Sequence, residues 1–77
     1  MKIWKLSPKE DNGYVRVRAE TEARAREIAY QKFVSSKAHK TIHNKDWSKL
    51  AWNDKNQVTC ELEDDDISNT EGFLDIV

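Results

Sequence analysis

The stretch "VRVRAETEARAREIAYQKF", residues 15–33, changes its period in the middle. Val15, Val17 and Ala19 alternate with Arg16, Arg18 and Glu20. A period of two is the mark of a half-buried strand, with the β-branched valines turned to a core and the arginines outward. Thr21 then offers its hydroxyl as a helix N-cap, and Glu22 puts an anion in the first turn, where the helix dipole favours it. The run "EARAREIAYQKF" is made mostly of good helix formers. Ala25, Ile28, Ala29 and Phe33 fall at i, i+3, i+4 and i+8 and form one apolar stripe, while Arg24, Glu27 and Gln31 point elsewhere and Tyr30 lies on the flank. The small alanines let such a helix lie close to the strands.

Upstream, "KIWKL" (2–6) alternates with Trp4 and Leu6 on one side and reads as a first strand. Ser7-Pro8 and Asn12-Gly13 punctuate a turn, so residues 2–19 are expected to form an antiparallel hairpin with a long loop. Downstream, "QVTCELE" (57–63) is the third strand, with Val58, Cys60 and Leu62 inward and Thr59, Glu61 and Glu63 outward. Asp64, Asp65 and Asp66 end it, and "FLDIV" (73–77) is either a short edge strand or a frayed tail. Residues 35–56 read as a long polar loop anchored by Ile42, Trp47, Leu50 and Trp52, with the helix reaching to about residue 38 and a helical turn near Asp46–Leu50. Polar loops of this length in a compact domain are often functional.

The expected fold is therefore α+β, in the order β-β-α-β: a small antiparallel sheet of three to four strands with one helix packed on one face. Residues 1–66 make a single domain and 67–77 an acidic tail or short edge strand. Val17, Ile28, Phe33, Val58 and Leu62 are expected to be mutually buried. The sheet face carrying Arg16, Arg18, Thr59 and Glu61 is expected to stay open to solvent.

Composition narrows the function classes. Of the 77 residues 38% are hydrophobic and 35% charged, and a chain of this size buries only about 60% of its unfolded surface. A deep catalytic cleft is hard to carve from so little core. No apolar run reaches the roughly 18 residues of a membrane span, and "MKIWKLSPKED" lacks the apolar stretch of a secretion signal. Cys60 is the single cysteine, so no internal disulfide forms. The expected compartment is the cytoplasm, of a bacterium or of a host cell, and no membrane partner is expected. Charge is uneven: residues 1–60 hold thirteen bases against seven acids, a charge of +6, and residues 61–77 hold seven acids and no base, a charge of −7. Such asymmetry marks a binding surface, or an acidic end folded over its own basic face.

The candidate chemistry is thin. His39 and His43 have a metal-ligand spacing, but Lys40 stands where a zinc-protease helix carries glutamate, and the pair reads as exposed loop histidines. Cys60 alternates with Val58 and Leu62 as a small buried apolar residue. Glu63, Asp64, Asp65 and Asp66 lack the alternating ligands and bend glycine of a calcium loop. No catalytic residue, no metal and no cofactor is expected, and the protein is read as a non-enzyme. Arg16, Arg18, Arg24, Arg26 and Lys32 could contact phosphates, although a pI of 6.1 is low for a nucleic-acid binder. With Trp47 and Trp52, one of which could cap the core and which otherwise read as tryptophans beside basic residues in the manner of interface hot spots, they are the candidate partner-binding residues.

"MKIWKLSP", "VRVRAETEARAREIA" and "VTCE" together resemble a family of small uncharacterised bacterial proteins. Its members pair a Trp-containing first strand with a V-x-V-R-A-x-x-E-x-x-A-R-x-I-A strand–helix unit and a late V-x-C-E strand. The matching positions are Trp4, Val15, Val17, Arg18, Ala19, Glu22, Ala25, Arg26, Ile28, Ala29, Val58, Cys60 and Glu61. The family's longer loop before the second strand and its proline-rich central loop are missing here. The resemblance implies the fold and no activity. The layout and size are also similar to those of small phage anti-CRISPR proteins, which bind a CRISPR effector complex and block its access to target DNA. The resulting expectation is a non-enzymatic inhibitor or adaptor docking on a larger protein or ribonucleoprotein complex. Most concretely it is a phage-type antagonist of a nucleic-acid-targeting defence complex, in which the basic residues pair with acids on the partner or the acidic end sits where DNA phosphates would go. The alternative is a small bacterial housekeeping or regulatory protein with weak nucleic-acid contact through the same arginines. A metal-dependent enzyme using His39, His43 and Cys60 is a third class.

Overall fold

In the computed structural model, which describes residues 1–9, 13–35, 41–42, 45–47 and 50–77, the first two alternating segments are strands β1 (Lys2–Pro8) and β2 (Val15–Ala19). They pair antiparallel with Trp4 opposite Val17 and Leu6 opposite Val15; Asn12 of the expected turn lies outside the described residues. Helix α1 (Glu22–Tyr30) starts where expected. The Thr21 hydroxyl accepts the Arg24 backbone N–H at 3.2 Å. The third strand is β5 (Val58–Asp65), longer than its alternation suggested, and "GFLDI" forms β6 (Gly72–Ile76). The sheet is antiparallel in the order β5-β1-β2-β6. The fold is thus the expected small α+β arrangement, and residues 72–76 are an edge strand of the same sheet.

The middle of the chain departs from the expected polar loop. After Tyr30 the helix widens into a π turn over Gln31–Ser35, and residues 36–40 lie outside the described set. Two short strands, β3 (Thr41–Ile42) and β4 (Lys45–Asp46), pair with each other. Asp46 belongs to a strand, its backbone paired with Thr41, and the expected helical turn starts one residue later: Trp47 is in 3-10 conformation and its carbonyl accepts the Leu50 N–H at 3.3 Å.

Leu6, Val15, Val17 and Ala19 from the sheet meet Ala25, Ala29 and Phe33, with Val58, Trp47 and Trp52 completing the buried cluster. Eight residues on from Ala25, an ideal α-helix would carry Phe33 about 80° round from Ala25 and about 40° beyond Ala29, at the edge of the stripe. The π turn rotates less per residue and swings Phe33 back to the core. There its ring stacks on Trp52 (5.1 Å between centroids) and meets Trp47 and Phe73 edge-on at 5.3 and 5.7 Å. Of the expected core, Val17, Phe33 and Val58 are buried, Ile28 is partly buried against them, and Leu62 is 55% exposed. It faces Trp4 as the alternation requires, but the register slips at the next pair, Ile3 opposite Asp64, leaving Glu63 as a bulge. Helix α1 lies over β2 and reaches β6 and β1, so the far half of β5 has little above it.

Phe33→Ala is expected to cost about 3–5 kcal/mol, as for other buried phenylalanines, a large part of the stability of a small domain. Urea denaturation measures it. A midpoint unchanged from wild type would mean that the aromatic cluster is not the core.

Candidate partner-binding surface

Alternation sends Arg16 and Arg18 from β2 to the sheet face opposite α1. The register sets Glu61, Lys5, Arg16 and Asp75 in one row across the four strands. Acid, base, base, acid is a self-neutralising order. Arg16 donates from Nε and Nη2 to the two oxygens of Asp75 at 2.8 and 2.9 Å, and from Nη1 to Glu63 at 3.1 Å. Arg18 donates to Asp66 at 2.7 Å and to the Thr70 carbonyl at 3.1 Å. Arg24, on the helix, reaches Glu71 at 2.9 Å and also bonds Glu27.

These pairs shift the carboxyls in the direction their geometry requires. The Arg16 hydrogen bond holds Asp75 below the usual carboxylate range, and Arg24 does the same for Glu71. Asp66 is lowered first by the Ser68 backbone N–H and then by Arg18. Arg16 itself is raised, chiefly by its hydrogen bond to Asp75. The expectation of free arginines on this face is corrected accordingly: the last two strands and the segment between them deliver carboxylates to them.

The other partner-binding candidates are placed differently. Arg26 is 6% exposed and buried. Its Nη1 donates to the carbonyls of Trp52 and Val58 at 2.9 and 2.8 Å, and its Nε to Glu22 at 2.9 Å. It is an internal clamp between the helix, the 50–57 segment and β5. Trp47 and Trp52 are 1% and 0% exposed, joined by a hydrogen bond from the Trp52 indole to the Trp47 carbonyl at 3.2 Å. The reading of these tryptophans as surface anchors is corrected: they are core, because Phe33 and Phe73 supply the apolar surroundings that the local sequence lacks. Lys32 lies with its Nζ 5.1 Å from the centre of the Phe73 ring.

Burial is the largest cause pushing the half-buried Cys60 thiol up, to about 11, so the group stays protonated near neutral pH. His39 and His43 lie outside the described residues. Among the described residues no three His, Cys, Asp or Glu side chains are grouped to hold a metal, and no helix is long and apolar enough to cross a membrane.

What remains turned outward is acidic. Of the seven acids in residues 61–77, Glu63, Asp66, Glu71 and Asp75 hold arginines. Glu61, Asp64 and Asp65 hold no lysine or arginine among the described residues, Asp65 lying 4.0 Å from the N-terminal ammonium of Met1, and all three are exposed on β5, as is Leu62. The sequence marks the acidic end as one of two alternative binding surfaces without naming its residues, and this rim supplies them. Its signal was present in the run "ELEDDD", but deciding which acids stay outward required knowing which ones the arginines take. No protein-family model, no curated protein and no solved structure matches this chain.

Replacing Arg26 by methionine keeps the stem but strips two buried carbonyls of their donor, at about 1–3 kcal/mol for each group left unsatisfied. Arg26→Met is therefore expected to destabilise the protein by at least about 2 kcal/mol. Arg16→Met breaks two solvent-exposed pairs, with Asp75 and with Glu63, and is expected to cost less than Arg26→Met. Urea denaturation of both variants checks the ranking, and the reverse order would contradict it.

Proposed function

We propose that the protein is a non-enzymatic binding module that acts by occupying a surface of a larger protein or ribonucleoprotein complex. In its most concrete form it is a phage-type inhibitor of a bacterial nucleic-acid-targeting defence complex, anti-CRISPR-like, working in the bacterial or host cytoplasm. The supporting observation is the division of the acids: four are tied to arginines, and Glu61, Asp64 and Asp65 remain exposed on one strand. Exposed carboxylates on one strand are attracted to the Lys- and Arg-lined grooves that proteins build for phosphates. Bound there, it would exclude nucleic acid by charge and by bulk. The alternative, direct nucleic-acid contact by a regulatory protein through Arg16 and Arg18, requires those side chains to leave their carboxylates first.

The test is a mobility-shift assay with purified DNA-targeting CRISPR effector complexes and labelled target DNA. The wild-type protein is expected to lower DNA binding by at least one effector, and the Glu61→Gln, Asp64→Asn, Asp65→Asn triple variant to lose most of that effect. DNA binding unaffected across the panel would overturn the inhibitor reading. A shift of free DNA by the protein alone would put the alternative first.

A further inference from the structure

The backbone of β5 has a direction as well as a charge. In an antiparallel ladder, successive residues turn both their N–H and C=O alternately toward the neighbouring strand and away from it. The Gln57 carbonyl accepts the Lys9 N–H at 2.9 Å, and the next turns of the ladder set Thr59 opposite Ser7 and Glu61 opposite Lys5. Residues 57, 59 and 61 therefore address β1, and residues 58, 60 and 62 address the outside of the sheet. Val58 is satisfied there by the fold itself: its N–H donates to the Asp54 carbonyl at 2.9 Å, and its C=O accepts from Arg26 at 2.8 Å. From Cys60 onward β5 is the sheet's outer edge, and its outward groups at Cys60 and Leu62 form a template for one more strand.

Charge selects what can use that template. Two copies of β5 paired antiparallel through Cys60 and Leu62 would set Glu61 directly across from Glu61, which is destabilising. Pairing Cys60 with Cys60 would need the Val58 groups that the fold already uses. The edge therefore refuses its own copy and attracts a basic strand. The side chains add a pattern. Cys60 and Leu62 sit on the α1 side, where Leu62 is 55% exposed, and Glu61 sits on the opposite face. A complementary strand carries apolar residues over Cys60 and Leu62 and Lys or Arg beside Glu61 and Asp64, in strict alternation.

We propose that the outer edge of β5 takes an alternating basic–apolar strand of a partner protein by β-sheet addition. The inference shares the acidic β5 surface with the function proposed above and narrows it to a class of partner. The probe is a short acetylated peptide alternating lysine and valine. The controls are a peptide of the same composition in block order and an alternating peptide N-methylated along the edge-facing side. The readout is amide hydrogen exchange followed by NMR. In the protein alone, the Cys60 and Leu62 amides are expected to exchange faster than those of Thr59 and Glu61. The alternating peptide in excess should slow Cys60 and Leu62 by about tenfold or more, whereas both controls and the Glu61→Lys, Asp64→Lys variant should not show this slowing. Amides of Cys60 and Leu62 already as protected as Thr59 and Glu61, or equal effects of the block-ordered peptide, would overturn the proposal. This assay reads the strand edge alone, so it can succeed where displacement of DNA from an effector fails, and the reverse.

Discussion

A helix with its side chains is about 10–12 Å across, and neighbouring strands lie about 4.8 Å apart, so one helix covers roughly two strands. This sheet has four. The shortfall organises the molecule. Helix α1 covers the middle of the sheet, and the π turn at its end carries Phe33 over toward β6, where Phe73 meets it. Trp47 and Trp52 extend the same apolar layer from the middle of the chain, and Arg26 fastens that segment to Val58. The part of β5 beyond this cover keeps Leu62 in solvent.

On the uncovered face charge replaces burial. Arg16 stands on a central strand and holds a carboxylate from each edge strand, Glu63 of β5 and Asp75 of β6. Arg18 and Arg24 fix the connection between those strands through Asp66 and Glu71. Single exposed pairs contribute little. A set that joins both sheet edges and the intervening segment also fixes which charges are left over. Those left without a charged partner among the described residues are Glu61 and Asp64 of β5, which is why the functional reading moves from the arginines to the acidic edge.

Local patterns were legible in the sequence and distant pairings were not. The switch at Ala19–Thr21, the Thr21 cap, the alanine stripe and the third strand each follow from residues within a few positions of one another. The arginine partners lie 47 to 59 positions away, and either fate of the acidic end fitted the composition. Trp47 and Trp52 sit among polar neighbours, so only the folded position of Phe33 reveals them as core. For Leu62, alternation named the correct side of the sheet but could not say that the helix stops short of it. Arg26 carried a usable signal: it lies four residues from Glu22 and next to Ala25 in the apolar stripe, a setting in which a long side chain is drawn inward.

The account depends most on the acidic end being part of the fold. Removing residues 67–77 deletes β6, takes Asp75 and Glu71 from Arg16 and Arg24, and strips Phe73 from Phe33. The measurement is thermal unfolding of the 1–66 chain beside the whole protein, followed by near-ultraviolet circular dichroism of the tryptophans. The shortened chain is expected to lose the aromatic signal and the cooperative transition. A cooperative transition at the wild-type temperature, with the aromatic signal intact, would show that residues 67–77 are a dispensable tail and that Arg16 and Arg24 are available to a partner after all.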